Sequence, residues 1–217
     1  MVIQGNKKGN NQQNGRGIRS NFNLGLNKLV LNFNNIMQFI KLRQSYNLTN
    51  GLLDLIEYIN KYSDTKKMSL VEIGSYLGES TVIFAQNFAG VSSIDPFLGN
   101  YDVDDFIGSR GDDEFNLFYE KFKENISNYT NISHFKMRSD DFKSESKFDV
   151  VYIDGEHTPD QVRKDIINFL PMIKIGGFIS GHDYYEDNGF VKDVVNDIFG
   201  KPDMIFQDYS WIKKIDG

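Results

Sequence analysis

The sequence predicts a doubly wound α/β fold: a mostly parallel sheet of seven strands whose last two form an antiparallel hairpin. Three observations predict it. Five short apolar segments between Ser69 and Gly181 have strand length, and most end in glycine or aspartate. Amphipathic segments of helical period separate most of them, which implies right-handed βαβ crossovers. Two further short apolar runs close the chain with only Asp208-Tyr209 between them.

The elements follow in order. Leu52, Leu55, Ile56 and Ile59 repeat at helical spacing, with Thr49 or Asn50 as the expected cap. Ser69–Gly74 is the first strand, Thr81–Phe88 a helix, and Gly90–Asp95 the second strand. Phe115–Ile126 carries Phe115, Phe118, Tyr119 and Phe122 on one helical face. Ile132–Met137 reads as the third strand. Phe148–Asp154, apolar on both faces, is the fourth, as a sheet covered on two sides requires. Pro159 suits the first turn of a helix running to Leu170. Gly177–Gly181 is the fifth strand and Phe190–Phe199 the last helix. The hairpin strands are Asp203–Gln207 and Ser210–Ile215. This is a Rossmann-like pattern.

Upstream, residues 1–21 are rich in Asn, Gln, Gly and Lys and read as a flexible tail. Residues 22–66 read as a helical region, whose Phe22–Tyr46 part could pack against a second subunit as a homo-oligomer contact. Residues 67–217 read as the α/β domain. A net charge of -6 argues against nucleic acid as a partner. With no cysteine, disulfides and thiolate chemistry are excluded. No apolar run approaches the ~20 residues of a membrane span, and the N-terminus lacks a secretory apolar stretch. A cytoplasmic location is the expectation.

Ligands in such sheets bind beyond the carboxyl ends of the strands. The first strand ends in Glu72-Ile73-Gly74-Ser75-Tyr76-Leu77-Gly78-Glu79-Ser80-Thr81. Its two glycines permit a sharp turn and close backbone approach. Asp95 ends the second strand, 21 residues after Gly74; an acidic side chain about 20 residues on can hold ribose hydroxyls. Dinucleotide sites favour G-x-G-x-x-G, with pyrophosphate at a helix N-terminus. Here the pattern is E-x-G-x-x-x-G, and the Glu72 carboxylate disfavours a pyrophosphate. It suits S-adenosylmethionine, which carries an amine and a sulfonium.

From about Ser69 onward the chain resembles the class I S-adenosylmethionine-dependent methyltransferases. Within them it looks closest to the small O-methyltransferases that include the macrocin-type sugar enzymes, the family 24-like group. The residues that carry this are Val71–Thr81, Ile94-Asp95-Pro96, Asp149–His157 and Gly176–Tyr184. The resemblance implies that Glu72, Gly74 and Ser75 line the amino-acid end of the cofactor. Tyr76, Gly78, Ser80 and Thr81 complete that loop, and Asp154 borders it. Asp95 would hold the ribose, and Ser139, Asp140 and Asp141 would lie by the adenine.

Asp154 and His157 follow the fourth strand, and His182 and Asp183 the fifth. Neighbouring strands would bring the four together near the transferred methyl. A hydroxyl acceptor must lose its proton before or during attack. A histidine of near-neutral pKa can take it, or a divalent metal can lower the hydroxyl's pKa. His157 is the first choice for the base and His182 the second. Members of the resembled group often hold Mg²⁺ on acidic residues at these two strand ends. Asp154 and Asp183 fit, and His182 stands where a carboxylate is frequent, which turns the donor set toward softer divalent metals. His134 is assigned a structural role. The long Phe97–Glu114 connection is either a lid or a solvated loop.

The expected activity is methylation of a hydroxyl on a small compound, a sugar or similar. The alternatives are an NAD(P)-dependent oxidoreductase and a non-catalytic S-adenosylmethionine-binding module.

Overall fold

The structure is a computed structural model that describes residues 48–102, 107–185 and 189–216. The expectations for the tail and for the Phe22–Tyr46 segment lie outside them. Seven strands, β1 (Ser69–Ile73), β2 (Gly90–Ile94), β3 (Ile132–Phe135), β4 (Phe148–Ile153), β5 (Ile173–Gly181), β6 (Met204–Ile205) and β7 (Trp211–Lys214), form one sheet. Their order is β3-β2-β1-β4-β5-β7-β6. The first five are parallel, and β7 is antiparallel to both β5 and β6. The fold class expected from the sequence is the one observed.

The alternation of buried side chains explains the two covered faces. Val71, Ile73, Val151, Ile153 and Ile179 point to one face. There they meet Val162, Ile166 and Phe169 of helix α4 (Pro159–Phe169) and Val194 and Val195 of helix α5 (Phe190–Phe199). Leu70, Val150, Tyr152 and Phe178 point to the other. They pack on Leu52, Leu55, Ile56 and Ile59 of α1 (Leu48–Asn60) and on Phe84 of α2 (Glu79–Asn87). Helix α1, assigned from sequence to a region ahead of residue 67, therefore shares a core with the strands. Helix α3 (Asp112–Ile126) buries Phe115, Phe118, Phe122 and Ile126.

Some boundaries differ from the reading by pattern. Helix α1 begins at Leu48, so Thr49 and Asn50 lie within its first turn rather than capping it. Helix α3 starts three residues early, on Asp112, Asp113 and Glu114, whose charges suit the positive end of a helix dipole. Strand β5 starts at Ile173 rather than Gly177. Its pairing with β4 shifts between Phe148↔Ile173 and Val150↔Phe178, and Gly176 sits in this irregularity at φ +81°. Among the described residues, no helix is long and apolar enough to cross a membrane.

Candidate functional site

The strand order reverses at β1, between β2 on one side and β4 on the other. Ligands of doubly wound sheets bind at this reversal, beyond the C-terminal strand ends. The glycine loop lies there. Gly74 has φ +83° and Gly78, the residue before α2, φ +80°. Gly74 N–H donates to Ile94 O (2.9 Å) and Asp154 N–H to Ile73 O (2.8 Å), so the ends of β1, β2 and β4 are tied together. A Cβ on Gly74 would lie 2.0 Å from the Asp154 carbonyl oxygen. The loop that starts at Gly74 and the segment that carries Asp154 therefore share a wall.

Asp95 organises the loop. Its Oδ2 accepts from the N–H groups of Ser75 (2.9 Å) and Tyr76 (3.0 Å), and its Oδ1 from that of Phe97 (2.7 Å). Burial raises its pKa, and the three amides oppose that shift. A carboxylate has about four acceptor positions, so these amides leave room for about one more donor. The Ser75 and Ser93 hydroxyls are 2.5 Å apart and buried.

Glu72 points to the α2 face of the sheet, fully buried, and accepts from the hydroxyls of Ser80 and Thr81. Burial pushes its carboxyl up to about 7, with Asp154 and Asp95 adding repulsion and the two hydroxyls opposing. Ser80 and Thr81, expected at the cofactor, direct their hydroxyls at Glu72. The raised pKa has a consequence for stability. Folded protein holds on Glu72 a proton that unfolded chain releases above its ordinary value of 4.5. This contribution is complete below that value and is lost as pH rises through about 7. Its size is roughly 3 kcal/mol. Urea unfolding at pH 5 and pH 8 should show Glu72→Gln gaining on the parent protein at the higher pH. A constant difference between the two would contradict a buried, neutral Glu72.

After β3, Ser139-Asp140-Asp141 forms a single 3-10 turn. Ser139 Oγ donates to Asp165 Oδ1 (2.6 Å), and Gln161 Nε2 lies 3.4 Å from Asp140 Oδ1. Asp165, 1% exposed, is pushed up to about 6 by burial. Ser139 and Asp140 are thus engaged with α4, while Asp141 is exposed. Sequence reading missed Asp165 and Gln161. Their signal was an acid and an amide at i, i+4 on the buried face of an amphipathic helix.

Asp154, His157, His182 and Asp183 lie together. His157 Nε2 lies 2.7 Å from Asp183 Oδ2 and 3.7 Å from Asp154 Oδ1. His182 Nδ1 lies 2.9 Å from Asp183 Oδ1 and 3.9 Å from Asp154 Oδ1. The His157–Asp183 contact is a close ion pair at the buried Nε2. His182 Nε2 is buried without a partner among the described residues. Burial disfavours both imidazolium ions. The carboxylates outweigh it, holding His157 well above its usual range and His182 at about 9. Asp183 is held well below the carboxylate range by the two imidazoles, against the effect of burial. His134 lies apart, with Nε2 3.1 Å from the Tyr119 hydroxyl. Asp154, His182 and Asp183 each offer a ligand atom within 4.8 Å of the others. With one imidazole beside two carboxylates, this set fits a divalent cation of mixed N/O preference.

The family model Methyltransf_24, described as a methyltransferase domain, matches residues 71–184. The chain belongs to this methyltransferase family. The matched span runs from strand β1 to just after Asp183, so it contains the glycine loop, Asp95 and the Asp154–His157–His182–Asp183 cluster. No curated protein matches the chain. Among solved structures it is similar to the N-methyltransferase NodS of Bradyrhizobium japonicum WM9, at 14% identity and TM-score 0.52, over 79% of this chain and 99% of that one. SMU.1697c of Streptococcus mutans, solved in complex with SAH, is 14% identical with TM-score 0.53 over 76% and 98%. Phosphoethanolamine N-methyltransferase 1 of Haemonchus contortus is 15% identical with TM-score 0.52, over 80% of this chain and 44% of that one. At such identities the likeness is one of fold, and it places this methyltransferase in the class I Rossmann-like architecture.

Proposed function

We propose that this methyltransferase binds S-adenosylmethionine in the crevice at β1 and transfers its methyl group to a hydroxyl oxygen of a small compound, a sugar or similar. One observation carries the reading: the glycine loop abuts the Asp154–His157–His182–Asp183 cluster, through the close approach of Gly74 to Asp154. A cofactor and an acceptor group would meet there.

In this reading Gly74, Ser75, Tyr76 and Gly78 surround the amino-acid end. Glu72 lies beneath them, set in place by Ser80 and Thr81. Asp95 has one acceptor position left for a ribose hydroxyl and fixes the loop with the others. The Ser139–Asp141 turn borders the adenine. Asp154, His182 and Asp183 would hold a divalent cation, which when bound lowers the pKa of a coordinated hydroxyl. His157 stands at the more open edge of the cluster and is the group placed to take the acceptor's proton. It accepts a proton only when neutral, a state that the neighbouring carboxylates oppose.

The test is transfer of labelled methyl from S-adenosylmethionine to a panel of sugars, phenols and amines, with and without Mg²⁺. Label should appear as an O-methyl ether. His157→Ala should lose ~100-fold or more in turnover and keep its cofactor affinity. Label on nitrogen alone would remove the hydroxyl reading. Full activity in the variant would pass the base role to His182 or to a metal.

A further inference from the structure

Two tyrosines outside the cluster share its rim. Tyr185 follows β5, two residues after Asp183, and Tyr209 lies in the turn between β6 and β7. Because β7 runs antiparallel to β5, with Trp211 opposite Gly181, that turn sits at the C-terminal end of the parallel strands. It therefore lies on the ligand face. Tyr184 N–H donates to Tyr209 O (3.0 Å), which clamps the turn to the segment after β5. The two rings meet with centroids 4.6 Å apart and planes tilted by 53°. Both remain open to solvent, Tyr185 at 42% and Tyr209 at 45%. Burial and the nearby Asp183 carboxylate, which faces both histidines, raise the pKa of the Tyr185 phenol.

The backbone gives a second, independent observation. Tyr209 has φ +65° and Asp183 φ +61°, the left-handed region that glycine favours. Neither position has glycine. A tyrosine held there at some conformational cost, with its ring exposed, is not explained by core packing.

We propose that Tyr185 and Tyr209 form the platform on which the acceptor lies, and that the acceptor is a ring compound with one apolar face and a hydroxyl at its edge. The reading rests on the proposed function and deepens it. An aromatic face gains from covering the C–H face of a pyranose or the π-face of a phenol. Tyr185 N–H donates to Asp183 O (2.9 Å) and Tyr184 N–H to Tyr209 O, which sets the platform beside the cluster, so a ring stacked on it directs its edge hydroxyl toward His157 and Asp183. Small-molecule sites commonly combine such an apolar wall with a few convergent polar groups.

The experiment uses full-length protein saturated with S-adenosylhomocysteine, with saturation-transfer NMR on two probes, methyl glucopyranoside and catechol. Calorimetry with S-adenosylhomocysteine is run first on every variant. Tyr209→Gly removes the ring and suits the left-handed backbone, so it should fold at least as stably as the parent. The proposal expects transfer to the ring protons of one probe, at least fivefold weaker in Tyr209→Gly and restored in Tyr209→Phe. The probe that responds identifies the ring class. Unchanged transfer in Tyr209→Gly, or no transfer to either probe, overturns the platform. Failure to bind S-adenosylhomocysteine at all would instead overturn the proposed function, which separates the two.

Discussion

Gly74→Ala should destabilise the protein by roughly 3–5 kcal/mol and abolish cofactor binding in whatever folded fraction remains. Two effects combine. The residue has φ +83°, where a Cβ meets its own backbone at a cost of ~1–2 kcal/mol. The added carbon would also lie 2.0 Å from Asp154 O, 2.5 Å from its carbonyl carbon and 2.7 Å from Gly155 Cα. All three are backbone atoms, held in place by the Asp154 N–H bond to Ile73 O. Relief requires the ends of β1 and β4 to separate. Gly176→Ala is the matched control, because Gly176 has φ +81° and a Cβ there would meet nothing within 4 Å. It should cost only ~1–2 kcal/mol. Thermal unfolding of the two variants isolates the clash, and equal losses would show that the β1–β4 approach is looser than described.

The second large effect is expected at Asp183. Asp183→Asn keeps the shape and tolerates the left-handed backbone, but it removes the charge that His157 and His182 share. Turnover should fall by ~10²–10⁴-fold with little change in affinity for S-adenosylhomocysteine, and the melting temperature should fall as well, because two buried imidazoles lose a partner. The sign of the accompanying titration follows from its cause. Burial favours neutral imidazole, and Asp154 and Asp183 overcome it. With one carboxylate gone, both histidines should titrate at lower pH in NMR spectra than in the parent protein. Undiminished turnover in Asp183→Asn would place the reacting centre elsewhere.

Much of this was legible in the chain. Strands β1 and β4 are mostly apolar on alternate and on successive positions alike, because both of their faces are covered. Their ends, and that of β2, stand out as the places where the strand meets Gly74, Asp154 and Asp95. The convergence of His157 with His182 and Asp183 also followed from strand adjacency. What local pattern could not supply was direction. Ser80 and Thr81 sit in the cofactor motif, yet the alternation of β1 turns Glu72 toward α2 and draws both hydroxyls onto it. The first half of β5 was hidden because Gly176 and Gly177 interrupt the apolar run where the ladder shifts register. Asp165 was hidden because its partner, Ser139, lies 26 residues away. The Tyr185–Tyr209 pair depends on an antiparallel return strand, and spacing alone does not encode which turn it brings back to the crevice.

Every role assigned to the crevice depends on its occupant, an adenosyl sulfonium compound rather than a dinucleotide, lying between the glycine loop and Asp95. Calorimetry with S-adenosylhomocysteine against NADH decides between the two. Micromolar-order binding of S-adenosylhomocysteine is expected, ~-8 kcal/mol, weakened at least tenfold by Asp95→Ala, with no heat from NADH. Binding of NADH, or equal affinity for S-adenosylhomocysteine in parent and variant, would refute the assignment.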